Sequence, residues 1–220
     1  MAINLLSQAD SIERKRIQSL LKYEKLAYKN GFKKVVGIDE VGRGCLAGPV
    51  VACAYIAKPK VYLPGVNDSK KLSFEKRCAL FDLLINNCQD YAIGVIDPDV
   101  IDDINIYWAS IEAMKIAFNK LNAKPDIALI DGVNIENLGV PTQKIIRGDA
   151  LSYSIAAASI VAKHIRDQMM IDLHRFYPHY GFNEHKGYAT KKHIEAIKEW
   201  GITKHHRVSF KLCSEKTPIK

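Results

Sequence analysis

Asp39 and Glu40 stand side by side at the end of an apolar run, Val35-Val36-Gly37-Ile38, and the chain then breaks into Val41-Gly42-Arg43-Gly44. A β-branched apolar run of this kind reads as a strand buried on both faces. Two carboxylates at its end are costly unless something positive neutralises them. Hard oxygen donors suit a divalent cation, Mg²⁺ or Mn²⁺. Asp131 repeats the pattern: Ile127-Ala128-Leu129-Ile130 is a second short apolar run, ending in Asp131-Gly132. Ligand sites of α/β sheets gather at such strand ends. A further acid, Asp149, follows Arg147-Gly148 and begins a long helical pattern. There it would serve equally as a helix cap, so two roles stay open for it. A strand ending in a solvated acidic turn would leave the same trace as a metal site at Asp39 and Glu40.

Geometry constrains the pair. Neighbouring side chains of a regular strand point to opposite faces, so Asp39 and Glu40 can serve one site only if the strand ends or bulges at Glu40. Gly42 and Gly44 carry no Cβ, which lets backbone N–H groups come close to a phosphate or a sugar. Ser69, Lys70 and Lys71 lie together in Asn67-Asp68-Ser69-Lys70-Lys71, where the lysines either meet phosphates or form a solvated loop pair. His185, His193, His205 and His206 show no spacing that defines a zinc site. His206 and Arg207 are expected to anchor the tail or to face a phosphate backbone.

The elements that must carry these residues follow from periodicity and punctuation. Residues 6–30 read as a helix stopped by Asn30-Gly31. A first strand ends at Asp39 and Glu40, and Pro49 to Ile56 forms a second. Ser73 is the expected N-cap of a helix that buries Leu80, Phe81, Leu84 and Ile85. Tyr91 to Ile96 is a third strand, closed by Asp97-Pro98-Asp99. Tyr107, Ile111, Met114, Phe118 and Leu121 then mark the core-facing stripe of a helix. Ile127 to Ile130 and Thr142 to Ile146 are the last two strands. Leu151, Ile155, Ala158, Ala162, Ile165, Met169, Leu173 and Phe176 trace a long helix that Pro178 stops. A short helix, Thr190 to Trp200, ends at Gly201. Five strands interleaved with helices make a mixed α/β layer domain.

At 220 residues, 48% of them hydrophobic, the chain has material for one large domain with a real core. Its longest apolar run, Leu46 to Ala57, is too short to span a bilayer, and no signal peptide is evident at Met1-Ala2-Ile3-Asn4. Five cysteines without a C-x-x-C pair read as reduced packing residues of a cytoplasmic protein. The net charge of +8 is unevenly spread: +5 over residues 1–34, −3 over 35–162 and +6 over 163–220. An acidic middle between basic ends suits a protein that gathers metal centrally and holds a polyanion around it, although solvated ends would give the same imbalance.

Several motifs in register carry a resemblance. Ile38-Asp39-Glu40-Val41-Gly42-Arg43-Gly44 is followed by Asn67-Asp68-Ser69-Lys70-Lys71-Leu72, Leu129-Ile130-Asp131-Gly132 and Arg147-Gly148-Asp149. After these come Ala157-Ala158-Ser159-Ile160-Val161-Ala162-Lys163, His185-Lys186-Gly187-Tyr188 and His206-Arg207-Val208-Ser209-Phe210. From about Val35 to Phe210 the chain resembles bacterial ribonuclease HII. The resemblance implies a ribonuclease H-like mixed five-stranded sheet flanked by helices, with a C-terminal helical part. It divides the chain into an N-terminal helical extension (1–33), a catalytic core (34–177), a basic helical part (178–213) and a flexible tail (214–220).

By the same resemblance, Asp39, Glu40, Asp131 and Asp149 form one four-carboxylate site for Mn²⁺ or Mg²⁺, loosely organised without metal because four ionised acids repel one another. The backbone at Gly42, Arg43 and Gly44 would touch the 2′-hydroxyl that distinguishes RNA from DNA. Tyr188 would stack on the neighbouring sugar, and Ser69, Lys70 and Lys71 would contact the substrate strand. The implied substrates are RNA/DNA hybrids and duplex DNA with embedded ribonucleotides, cut 5′ of the ribonucleotide to leave a 3′-hydroxyl and a 5′-phosphate. The expected setting is ribonucleotide excision repair and DNA replication, by a monomer without membrane attachment. Two departures bear on substrate preference: Tyr153-Ser154 stands where many members carry proline and glutamate, and Cys45 replaces a frequent proline. A ribonuclease HIII-like enzyme is the nearest alternative, disfavoured by Arg43 between the glycines and the lack of a large N-terminal domain. A non-catalytic hybrid-binding module would leave the strand-end acids unexplained, because anions repel phosphates.

Overall fold

Val50 to Ala57 is buried at every position, as expected of a strand covered on both faces. In the computed structural model, which describes residues 9–214, it forms β2 of a five-stranded sheet. The others are β1 (Val35–Val41), β3 (Cys88–Ile96), β4 (Ile127–Asp131) and β5 (Thr142–Ile145), in the order β3-β2-β1-β4-β5. β1 and β2 pair antiparallel, as do β2 and β3, while β1–β4 and β4–β5 are parallel. The helices are α1 (Ser11–Leu20), α2 (Lys22–Lys29), α3 (Phe74–Asn87), α4 (Pro98–Asn119), α5 (Tyr153–Phe176), α6 (Phe182–His185), α7 (Lys191–Trp200) and α8 (Lys211–Ser214).

Strand alternation sorts the core into two layers. Val36, Ile38, Ala52, Ala54, Ala128 and Ile130 face α4. Cys53 and Tyr55 face α5, with Ile17, Leu20 and Leu21 of the N-terminal helices closing the same layer. Glu24 of α2 is buried, and its carboxylate accepts the Ser152 hydroxyl at 2.6 Å and the Ser154 N–H at 2.8 Å. A carboxylate from α2 thus sits at the start of α5, against Ser152 and Ser154. A third core, built on Ala47, Met170, Tyr180, Phe182 and Ile197, joins α6 and α7 to α5 and to the loop that follows β1.

Several local expectations are corrected. The N-terminal helix is two helices, broken at Leu21; residues 6–8 of its expected span and nearly all of the tail lie outside the described residues. Asp97-Pro98-Asp99 does not merely close β3: Pro98 opens α4, which then kinks where Asn105 takes φ of 62°. The kink turns Tyr107 off the buried stripe to 43% exposure, while Ile111, Met114 and Phe118 stay inside. The long helix begins at Tyr153 with Ser152 as its N-cap, so Leu151 lies outside it. Its buried stripe continues from Ala158 and Ala162 through Arg166 and Met170, not through Ile165 and Met169. Ser73 does cap α3, accepting the Lys76 N–H at 3.3 Å.

Ile17 is completely buried against the α5 layer. Ile17→Ala should therefore cost roughly 2–4 kcal/mol in urea unfolding. A loss within about 0.5 kcal/mol, usual for surface positions, would mean that α1 does not belong to the core.

Candidate active site

The ladder between β1 and β4 ends at the pair Ile38–Ile130. Asp39 and Asp131 are the next residue on each strand, so two acids 92 positions apart in the chain become neighbours across roughly 5 Å of parallel sheet. β1 does not stop there. Its antiparallel register with β2 continues unbroken through Asp39–Cys53, Glu40–Ala52 and Val41–Val51. The expected strand end or bulge at Glu40 is therefore absent. The sheet forks instead: β1 stays with β2 and loses β4, leaving Asp39 on the α5 side and Glu40 on the α4 side of one open edge.

Asp149 joins them from a short 3₁₀ turn, Gly148–Ala150, ahead of α5. It does not cap the long helix, since Ser152 does, so that alternative role falls away. The turn is pulled in by Asp131, whose Oδ1 accepts the Gly148 N–H at 2.5 Å. A Cβ on Gly148 would come within 2.6 Å of the Ile155 side chain and 3.2 Å of that oxygen, so glycine permits the approach. Lys70 lies opposite, donating to Asp149 Oδ2 at 3.2 Å.

Each acid spends an oxygen on a neighbour. Asp39 Oδ1 accepts the Glu40 N–H at 2.8 Å, and Glu40 Oε1 meets Arg43 at 3.4 Å. Glu40 Oε2 is buried with no hydrogen-bond partner. Burial raises the Asp39 pKa well above the carboxylate range, and the charges of Glu40, Asp131 and Asp149 add to it while a hydrogen bond from Ser159 opposes. Burial also raises Glu40, with Arg43 opposing and Asp131 adding. Asp131 is raised by burial and by Asp149, against the Gly148 N–H. For Lys70, burial pulls downward, and the attraction of Asp149 together with Asp39 and Asp68 more than offsets it.

An all-oxygen donor set, mutual repulsion and one orphaned buried oxygen are what a hard divalent cation would relieve, so these residues fit such an ion. Among the described residues no three acid, histidine or cysteine side chains already converge as ligands of one ion. The oxygens now turned onto Gly148, Glu40 N–H and Lys70 would have to swing inward.

The Gly42-Arg43-Gly44 turn is clamped by two guanidiniums. Arg166 and Arg207 are fully buried. Arg207 donates to the carbonyls of Gly48 (2.7 and 3.1 Å) and Arg43 (3.0 Å), and burial lowers its pKa to about 10. Arg166 donates to the carbonyls of Pro49, Lys186 and Ala47 at 2.9, 2.8 and 3.1 Å. Gly42 has φ of 99°, and a Cβ there would strike Arg166 at 2.3 Å. Gly44 faces open space, leaving its backbone approachable. Tyr188 is held beside the turn by a bridge to Cys45; the residue is 39% exposed, and Lys163 Nζ lies 5.4 Å from its ring centre.

Of the remaining expected residues, Ser69 is buried and bonded to Ser159 at 2.9 Å, so it braces the loop from within. Lys71 lines a cavity of about 370 Å³ shared with Lys22 and Tyr23 of α2 and with Ala150 and Leu151. Ser159 and Arg166 were not singled out in the sequence. Ser159 sits inside the Ala157 to Lys163 motif, and Arg166 occupies a helix position one turn beyond Ala162, where an apolar residue is the default. His206 and Arg207 anchor the tail against the loop, the first of their two expected roles. A groove of about 610 Å³ opens past Tyr188, lined by Arg77, Lys163, Asp167 and Lys186 among others.

A carboxyl whose pKa is raised by folding favours the folded state at acid pH and opposes it as pH rises through the raised value. At neutral pH without metal these acids therefore strain the fold. Asp39→Asn should stabilise the chelator-treated protein by roughly 1–3 kcal/mol in thermal melts at pH 7. A lower melting temperature would show that the acids are not in mutual repulsion.

Residues 36–213 match the family model described as Ribonuclease HII. "Ribonuclease HII" of Chlamydia pneumoniae is 49% identical over 209 residues, covering 94% of this chain and 94% of that protein. The crystal structure of ribonuclease H2 from Pyrococcus horikoshii OT3 superposes with a TM-score of 0.71 at 26% identity, covering 83% of this chain and 96% of that one. Bst-RNase HIII in complex with Mn²⁺ shares the fold at a TM-score of 0.62 and 18% identity, over 82% of this chain and 68% of its own. The mixed five-stranded sheet with its flanking helices is the ribonuclease H-like fold, and the chain belongs to the ribonuclease HII family of endonucleases.

Proposed function

We propose that the chain hydrolyses the phosphodiester on the 5′ side of a ribonucleotide, in RNA/DNA hybrids and at single ribonucleotides within duplex DNA, leaving a 3′-hydroxyl and a 5′-phosphate. The observation that carries this reading is the fork between β1 and β4, where Asp39, Glu40 and Asp131 gather with an acid oxygen left unpartnered. Asp39, Glu40, Asp131 and Asp149 would hold Mg²⁺ or Mn²⁺. A bound divalent ion supplies Lewis-acid stabilisation of the phosphate and activation of the attacking water.

The chain's own groups do the rest. Without a cation the four acids repel a phosphodiester, so substrate engagement depends on their neutralisation. The backbone of Gly42, Arg43 and Gly44, fixed by Arg207 and Arg166, is approachable at Gly44 and reads the 2′-hydroxyl. Such a hydroxyl-reading contact discriminates strongly, because a deoxynucleotide would leave polar groups unpaired. Tyr188 offers its exposed ring to the adjacent sugar, and Lys70, reaching over Asp149, meets a strand phosphate. Past the tyrosine, Lys163 and Lys186 line a groove for the continuing polyanion. Ser69 acts from behind the loop, and Lys71 would contact strand only where it runs towards α2.

A labelled duplex with one ribonucleotide tests the proposal. Cleavage should require Mg²⁺ or Mn²⁺, stop with chelator and yield a 3′-hydroxyl. Asp39→Asn should lower the rate by at least about a thousandfold while the duplex is still bound. Retention of the duplex without products under either metal would establish a binding module instead. Cleavage only of long RNA runs would favour a ribonuclease HIII-like specificity.

A further inference from the structure

Beneath Tyr188 lies a set of imidazoles that the proposed chemistry does not use. His193 and His206 are buried, with their Nε2 atoms 3.2 Å apart, and His185 stacks on His193 at 4.4 Å. The outer partners fix where every proton sits. The Thr203 N–H can only donate, so His206 Nδ1, 3.0 Å away, accepts. The Tyr188 carbonyl can only accept, so His193 Nδ1, 2.9 Å away, donates. Two neutral rings then present one N–H and one lone pair to each other across the 3.2 Å gap, His206 donating and His193 accepting. No other arrangement of neutral rings satisfies all three bonds. A proton added to His193 would set two N–H groups face to face.

His185 obeys the same logic. It accepts the Gly187 N–H at Nδ1 (3.2 Å) and donates from Nε2 to the Tyr180 carbonyl. Gly187 in turn accepts the Leu46 N–H at 2.8 Å, so the segment carrying Tyr188 is tied to the loop behind the Gly-Arg-Gly turn. Burial keeps both central rings neutral, lowering His193 to about 4 and His206 to about 3. The titratable and charged groups around the cluster are Tyr180, Glu184, Lys186, Lys192 and His205.

We propose that His193 and His206 are positioning residues for Tyr188: a neutral hydrogen-bond chain running from Thr203 through both imidazoles fixes the backbone from which the tyrosine ring meets the sugar. The inference rests on the stacking role proposed for Tyr188. It makes the two histidines part of substrate placement, with no contact to substrate of their own.

A double-mutant cycle on the full chain with Mn²⁺, using the single-ribonucleotide duplex, tests it. Tyr188→Ala and His206→Leu should each lower kcat/KM by about tenfold. The double variant should be within about twofold of Tyr188→Ala alone, because both changes remove one function. His206→Gln, whose amide N–H reaches towards His193, should recover most of the loss. His206→Asn, which accepts from Thr203 but falls short of His193, should not; it replaces His206→Leu in the cycle if that variant does not fold. Losses that multiply to about a hundredfold in the double variant would overturn the proposal, as would full activity in both His206→Leu and His206→Asn. Full activity in Tyr188→Ala would remove the stacking role itself, and the dependent proposal with it.

Discussion

Like charges held at a fork in the sheet are the constraint on which the rest of this structure depends. Parallel pairing of β1 and β4 stops one residue before Asp39 and Asp131, so the strands deliver two carboxylates to the same edge. The unbroken β1–β2 ladder prevents β1 from relaxing away, and it carries Glu40 to the other side of that edge. Burial prevents water from screening the three acids, and with their mutual repulsion it raises all three pKa values. The fold meets this internally by turning acid oxygens onto N–H groups and onto Lys70. Those contacts are weak substitutes for a divalent charge, so the site remains receptive.

A second constraint concerns the turn beside the acids. Loop backbone that must approach a ligand cannot be stiffened by its own side chains, least of all at glycine. Here rigidity comes from outside, from Arg166 and Arg207, whose planar forks satisfy six hydrogen bonds to carbonyls around the turn. Two buried guanidiniums are expensive to desolvate. Their location behind the Gly-Arg-Gly backbone is consistent with a site where placement matters more than stability. The same economy is visible under Tyr188, where the histidines fix backbone and leave the ring exposed.

How much of this could be read in the chain depended on whether the signal was local. The strand end at Asp131, the cap at Ser73 and the helix stop at Gly201 are local patterns and stand where expected, whereas β1 runs on past Asp39 to Val41. The fork is not local: it arises from the difference between two pairing partners of β1, and a single strand's residues cannot report it. That is why a bulge was expected at Glu40. Asp149 looked like a cap because Ser152, three residues on, competes for the same role with a better-placed hydroxyl. Tyr107 fits the core stripe by spacing alone, but the Asn105 kink resets the helical phase and leaves it exposed. Arg166 escaped notice since its value lies in partners 20 to 119 residues away.

The most direct measurement of the central claim is the number of protons released when Mn²⁺ binds, obtained by calorimetry at pH 5.5 in buffers of different ionisation enthalpy. If burial, together with mutual repulsion, keeps protons on the acids at the fork, Mn²⁺ must expel them, and the observed heat will vary with buffer. That variation should shrink in Asp39→Asn, which has one fewer proton to give up. A binding heat independent of buffer, or a release unchanged in Asp39→Asn, would contradict the account.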